Sequence, residues 1–190
     1  MKLESRLPLL VLLLVLAGCA ARAAQEKRGA DQANQDTNAK ALFARGQASA
    51  AAGDMTRAEQ YFVAALNAGG DEGTITRRLL VVCAADQRYP VALDYADNYL
   101  RHHPTDTELR FARASLYAAT GDRARAEEDL ERVVSEKPDW PDAHYELATV
   151  LREKGSSLLS ADRHYREYLR LSPTGAYAET ARGYLLKSVR

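Results

Sequence analysis

Six side chains in this sequence bring reactive or metal-binding chemistry: the thiols of Cys19 and Cys83 and the imidazoles of His102, His103, His144 and His164. A thiol acts as a nucleophile only when a basic neighbour lowers its pKa. Cys83 has no such partner at helical spacing, and a buried free cysteine behaves as a small hydrophobe. His102 and His103 are adjacent, so a helix cannot turn both to one ligand. They stand just before Pro104, where a cation complements the end of a helix. His144 and His164 fall in two different helical stretches and can approach one another, but no cysteine or carboxylate accompanies them, which favours a packing role over a metal site. There is no glycine-rich phosphate loop, no serine in a nucleophile elbow and no nucleophile–base pair. The expectation is a chain with no catalytic residue, no metal and no cofactor: not an enzyme.

Cys19 stands apart from the rest. Lys2 and Arg6 precede an almost unbroken apolar run, Leu7 to Leu16, too short to span a bilayer and suited to a signal peptide. The run ends in Leu16-Ala17-Gly18-Cys19, which resembles the lipobox of bacterial lipoproteins. That resemblance implies cleavage between Gly18 and Cys19, acylation of the Cys19 thiol and of the new N-terminus, and a stable membrane anchor. Ala20 follows, not Asp, and by the enterobacterial sorting pattern this implies the outer membrane, on its periplasmic side. The mature chain then begins with a polar segment, about 19–37, that has no large apolar residue to bury and reads as a flexible tether.

The elements that remain, 38–190, carry a repeat. Ala58, Ala92 and Ala126 recur at one interval, and Pro104 and Pro138, like Gly121 and Gly155, keep the same one. The residue types explain themselves. Glycine supplies a left-handed turn between two helices, alanine lets the helices approach, and proline ends the second helix. The aromatic or leucine four positions after each alanine lies on the same helix face. No strand pattern is present. The period is about 34 residues, that of the tetratricopeptide repeat. In period and in residue type the segment resembles that repeat, and the resemblance implies an all-α, right-handed solenoid. Four helix pairs are expected at about 39–72, 73–106, 107–140 and 141–174. The leftover segment, 175–189, places Tyr177, Ala181, Tyr184 and Leu185 on one helical face and reads as a capping helix. Cys83 falls where the next pairs have Tyr117 and Leu151. Trp140 suits a plug between repeats or a binding anchor. The run of alternating Arg and Glu from Arg123 to Arg132 reads as a solvated face, with Glu128 and Arg132 as an i, i+4 pair.

By the same resemblance, partners bind the concave surface of the first helix of each pair. Carried onto this chain, that groove holds Phe43 and Gln47, then Arg77 and Val81, then Glu108, Phe111 and Ser115, then Asp142, Tyr145, Thr149 and Arg152. The carboxylate clamp of some relatives is not matched, since its positions hold Phe43, Gln47, Glu108 and Ala112. The chain has 26 basic and 26 acidic residues; without Lys2, Glu4 and Arg6 these become 24 and 25. The balance of the whole chain argues against a nucleic-acid protein, and the net −1 that remains makes long-range charge steering a poor basis for partner choice. The function expected is a membrane-anchored protein-interaction scaffold that assembles or localises a complex of the bacterial cell envelope, with envelope proteins as partners and no small-molecule substrate. In build it resembles pilus pilotins, the accessory lipoprotein of tight-adherence pili and the tetratricopeptide lipoprotein of the outer-membrane protein insertion complex. An adaptor for a cell-wall enzyme or periplasmic protease is the alternative.

Overall fold

The computed structural model describes residues 37–155 and 157–186, together with residue 25. The signal segment, Gly18, Cys19 and nearly all of the tether lie outside the described residues. The first helix, α1, covers 37–51. It is followed by α2 (Met55–Asn67), α3 (Glu72–Ala85), α4 (Tyr89–His102), α5 (Thr107–Ala119), α6 (Arg123–Glu136), α7 (Pro141–Lys154), α8 (Leu158–Leu171) and α9 (Ala178–Tyr184). No strand occurs among the described residues. Each helix from α2 to α8 packs against the next, and α9 lies against α8. Phe43 of α1 meets Phe62 of α2, which seats the first helix on the second.

The turn inside each pair is one device used four times. Gly53, Gly121 and Gly155 take φ of 81°, 82° and 70°, and Gln87, at the same place in the second pair, takes 57°. The left-handed residue lets the chain reverse while the next N–H reaches back: Asp54 N to Ser49 O, Arg88 N to Cys83 O and Asp122 N to Tyr117 O, at 2.9, 2.8 and 2.9 Å. Asp54 and Asp122 then cap the following helix by accepting from Arg57 N and Arg125 N. The second pair lacks both the glycine and the cap, since Arg88 makes no side-chain capping bond. Gln87→Gly should therefore raise stability by about 0.5–1 kcal/mol, because glycine adopts this region without a Cβ penalty. A urea midpoint that does not rise would refute this.

Packing between the two helices of a pair balances small against large. Ala58, Ala92 and Ala126 are fully buried. Gly46 lies so close to Phe62 that a Cβ would meet the ring at 2.6 Å. One repeat on, the equivalent positions hold Leu80 and Ala96; two on, Ala114 and Leu130. Each pair thus keeps a similar volume at its centre by different means.

A polar layer also recurs. Arg110 (α5) is buried and donates to the carbonyl of Pro104. His144 (α7), one repeat later, is buried too, and its Nε2 donates to Pro138 O at 2.9 Å. Arg110 faces Asp129 at 3.6 Å, whereas His144 faces His164, Nδ1 to Nδ1, at 3.0 Å. Since Pro138 O can only accept, neutral His144 keeps its proton on Nε2 and takes one from His164 Nδ1. Burial, then the neighbouring His144 and Arg163, push the His164 pKa down to about 4, with Glu167 opposing. The unfolded chain binds a proton near 6.5, so this contribution is complete above that pH and is lost as pH falls towards 4. His164→Gln should remove about 1–2 kcal/mol of the acid sensitivity, less than the full shift because the ring is only partly buried. Parallel urea titrations of both proteins at pH 7 and pH 4.5 measure it; equal pH dependence would contradict the assignment.

Two sequence expectations need correction. The helical end is not 175–189: α9 is the seven residues Ala178–Tyr184, Tyr177 is its N-cap and Leu185 is extended. The residues before it form turns, Gly175 N–H bonding Ser172 O at 3.2 Å and Ala178 N–H bonding Gly175 O at 3.0 Å, and Tyr168 Oη accepts from Tyr177 N at 2.9 Å. The segment 123–132 is not a wholly solvated face either. Asp129 is buried, and Arg132 pairs with Glu136 at 3.3 Å and not with Glu128.

Candidate protein-binding site

The four first helices, α1, α3, α5 and α7, place residues one period apart in register along the solenoid. Three columns result: Lys40, Thr74, Glu108 and Asp142; Phe43, Arg77, Phe111 and Tyr145; Gln47, Val81, Ser115 and Thr149. Most of the side chains assigned to the groove lie in them, with Arg152 one turn further along α7.

The middle column sets the shape. Phe43 is half-buried and leans on Phe62, ring centroids 5.5 Å apart. Phe111 leans on Trp140 at 4.6 Å, with Lys137 Nζ 5.2 Å from the Trp140 ring. Each aromatic floors a cleft. One, of about 280 Å³, lies between α1 and α3 and is lined by Ala39, Lys40, Phe43, Gly70, Asp71 and Ile75, among others. The other, of about 460 Å³, is lined by Arg77, Glu108, Phe111, Lys137, Asp139, Trp140 and their neighbours. The two are the same place two repeats apart, as Phe43 matches Phe111 and Asp71 matches Asp139.

Between them the column is interrupted. Arg77 donates to Asp106 at 2.8 Å and approaches Glu108 at 3.5 Å. Burial alone would raise the Asp106 carboxyl, but bonds from Leu109 N–H, Tyr99 Oη and Arg77 hold it below the usual carboxylate range. His103, next to this cluster, stacks on Tyr99 at 4.3 Å and bonds Glu72 at 3.0 Å; His102 donates to Asn98 O. Among the described residues no three metal-ligating side chains converge. Cys83 is fully buried, and burial together with Glu59 pushes its thiol up to about 11, away from reactive thiolate.

At the far end the cap occupies the column. Tyr145 is stacked on Tyr177 with centroids 4.3 Å apart and an angle of 13°. Arg152 lies 3.8 Å from the centroid of the Tyr184 ring. Thr149 Oγ1 bonds Tyr145 O and Tyr165 Oη, and Ser115 donates to Glu146 at 2.7 Å. Burial raises the Glu146 carboxyl. Asp142 and Gln47 lie at the surface, and Val81 keeps 60% of its surface in solvent beside a further cleft of about 310 Å³ that also takes in Gln47. The open part of the groove therefore runs from α1 to the start of α7. Sequence reasoning passed over Lys40, Ile75, Lys137 and Asp139. The signal was available: Asp71 and Asp139 are two repeats apart, beside aromatics at the same interval.

This architecture is shared with known proteins. A tetratricopeptide repeat protein from Parabacteroides merdae superposes with a TM-score of 0.70 at 18% identity; the match covers 78% of this chain and 59% of that one. YrrB, described as a TPR protein with an unusual peptide-binding site, superposes at 0.65 and 21% identity, with 88% of each chain covered. MamA from Desulfovibrio magneticus reaches 0.63 at 19% identity, over 73% of this chain and 78% of that one. At these identities the likeness establishes the fold alone. The sequence model of the tetratricopeptide repeat matches residues 82–139 and 111–176, which together cover half of the chain. With the period, the turn geometry and the helix pairs all in agreement, the chain belongs to the tetratricopeptide repeat family.

Proposed function

We propose that the chain is a lipid-anchored, non-enzymatic scaffold on the periplasmic side of the bacterial outer membrane, where its repeats hold a protein partner during assembly or localisation of a cell-envelope complex. The observation that carries the interaction role is the pair of aromatic-floored clefts on the α1–α3–α5 side. Exposed aromatic and aliphatic surface ringed by charge is the form that protein-binding sites take. Lys40 and Asp71 rim one cleft, Glu108, Lys137 and Asp139 the other, so an extended segment with apolar side chains two repeats apart and mixed charges between them fits both. A peptide-binding site is the described property of YrrB, which supports the reading by analogy. The anchor rests on the Leu16-Ala17-Gly18-Cys19 sequence.

The test is site-specific crosslinking in envelopes, with a photoreactive residue at Val81 or Glu108. A partner crosslinked from both positions should be lost at least tenfold when Phe111 and Trp140 are both changed to Ala, a loss of about 1.4 kcal/mol or more. Glu108→Lys with Lys137→Glu, read from the photoreactive residue at Val81, keeps the core intact and should weaken the crosslink. Undiminished crosslinking in both variants, with helical content unchanged, rejects the clefts as the site.

A further inference from the structure

Between α4 and α6 the solenoid carries a cluster of four arginines, two of which the packing ties down and two of which it leaves partly unengaged. A cleft of about 410 Å³ between α4 and α6 is lined by Arg101, Arg110, Arg113 and Arg132, with Asp97 the only acidic side chain in its wall. Two of these arginines are structural. Arg113 binds Asp129 through Nε and Nη2 and Asp97 through Nη1, each at 2.7 Å. Arg110, its side chain 6% exposed, holds Pro104 O and approaches Asp129, and its Nε has no acceptor. The other two are only partly engaged. Among the described residues Arg101 bonds Asn98 Oδ1 and no carboxylate. Arg132 uses Nε on Glu136, and its side chain remains 59% exposed.

The repeat provides an internal control. At the preceding junction the four equivalent positions hold Asn67, Thr76, Leu79 and Asn98. At the following one they hold Ser135, His144, Leu147 and, after the one-residue insertion, Glu167. Both junctions pack without a single arginine at these places, so the general fold of a pair does not call for arginine there; at this junction Arg110 and Arg113 have become part of the packing, and Arg101 and Arg132 remain in excess of it. Four guanidinium groups face three carboxylates, Asp97, Asp129 and Glu136, which leaves one positive charge over.

We propose that this cleft binds a phosphate-class oxyanion, either free phosphate or a phosphodiester headgroup. A guanidinium presents paired donors that match phosphate oxygens, and the partly free forks of Arg101 and Arg132 approach from two helices, α4 and α6. One net positive charge suits a phosphodiester monoanion. Apolar walls from Leu100 and Pro104 lower the local dielectric and strengthen the contact.

The experiment is an NMR titration at pH 7 and low salt on the purified chain, following arginine Nε–H signals. Inorganic phosphate and glycerophosphoglycerol are the probes, with acetate as the carboxylate control. Saturable shifts at Arg101 and Arg132 are expected, with a Kd of about 1 mM or below. Arg101→Gln and Arg132→Gln, both at exposed positions, should each weaken binding about tenfold, whereas Arg57→Gln, at the other end of the solenoid, should leave it unchanged. Saturation by inorganic phosphate alone assigns the site to free phosphate; saturation by the diester as well assigns it to a headgroup. Absence of saturation up to about ten times that concentration, acetate binding as tightly as phosphate, or binding indifferent to both Arg→Gln changes overturns the proposal.

Discussion

Arg113→Met is expected to destabilise the protein by about 3–5 kcal/mol, the cost of breaking a buried ion network from one side. Arg113 sits on α5 and reaches carboxylates on the helices to either side, Asp97 on α4 and Asp129 on α6. Burial works against its charge, but the hydrogen bonds to Asp129 and Asp97 more than offset this and hold the guanidinium firmly protonated. Without it, Asp129, only 5% exposed, faces Arg110 at 3.6 Å as its one remaining cation. Methionine fills most of the volume, so the loss reports charge and hydrogen bonding more than a cavity. In a solenoid each pair contacts only its neighbours, and the weakened junction lies between the second and third pairs. The urea transition followed by helical circular dichroism should move down and broaden. Arg113→Met combined with Asp129→Leu should recover much of the loss, since an apolar pair of similar size often replaces a buried ion pair without penalty. A single-mutant effect below about 1 kcal/mol would show that the network is not what joins the two pairs.

The second large effect is on location. On the anchoring proposed above, Cys19→Ala should abolish acylation and leave an unprocessed precursor or a mislocalised product that still folds. An acyl chain adds about 0.8 kcal/mol of membrane affinity per buried CH₂, so two or more chains hold a protein stably and none leaves it free. A polar stretch of sequence separates Cys19 from the described part of α1, 37–51, and Cys19 lies outside the repeat period. Cell fractionation with palmitate labelling reads the anchor, and circular dichroism of the variant reads the fold. Palmitate incorporation in the variant, or retention of a processed form in the membrane, would remove the lipidation reading. Loss of the helical signal would remove the separation of tether from repeats.

Much of the fold was legible because its determinants are local. Gly53, Gly121 and Gly155 mark their turns through backbone conformation, and Asp54 and Asp122 each cap the turn of helix that follows directly. Even the exception, Gln87, could be assigned to a turn from the period, though only its φ of 57° shows that the turn is kept at a steric cost. The cap was harder. Tyr177, Ala181, Tyr184 and Leu185 have helical spacing, yet the helix starts only at Ala178 and Leu185 leaves it, while Tyr168 Oη and Asp162 tie the backbone N–H groups of Tyr177 and Leu186 to α8. Both partners belong to α8, beyond the reach of any local pattern.

The groove divides in the same manner. That Phe43, Arg77, Phe111 and Tyr145 form one column follows from the repeat period alone. Which of them faces a ligand does not. Tyr177 covers Tyr145, Asp106 and Glu108 engage Arg77, and Trp140 joins Phe111 to make a cleft wall. The sequence by itself determined the period, the helix pairs and their turns, since each rests on backbone preference or on regular spacing along the chain. Only the tertiary structure decided which polar side chains are paired across helices, which aromatics remain open, and that four arginines share one cleft. Such contacts depend on the rotation and approach of neighbouring helices, and the free energy of a charge or a ring depends on what is packed against it.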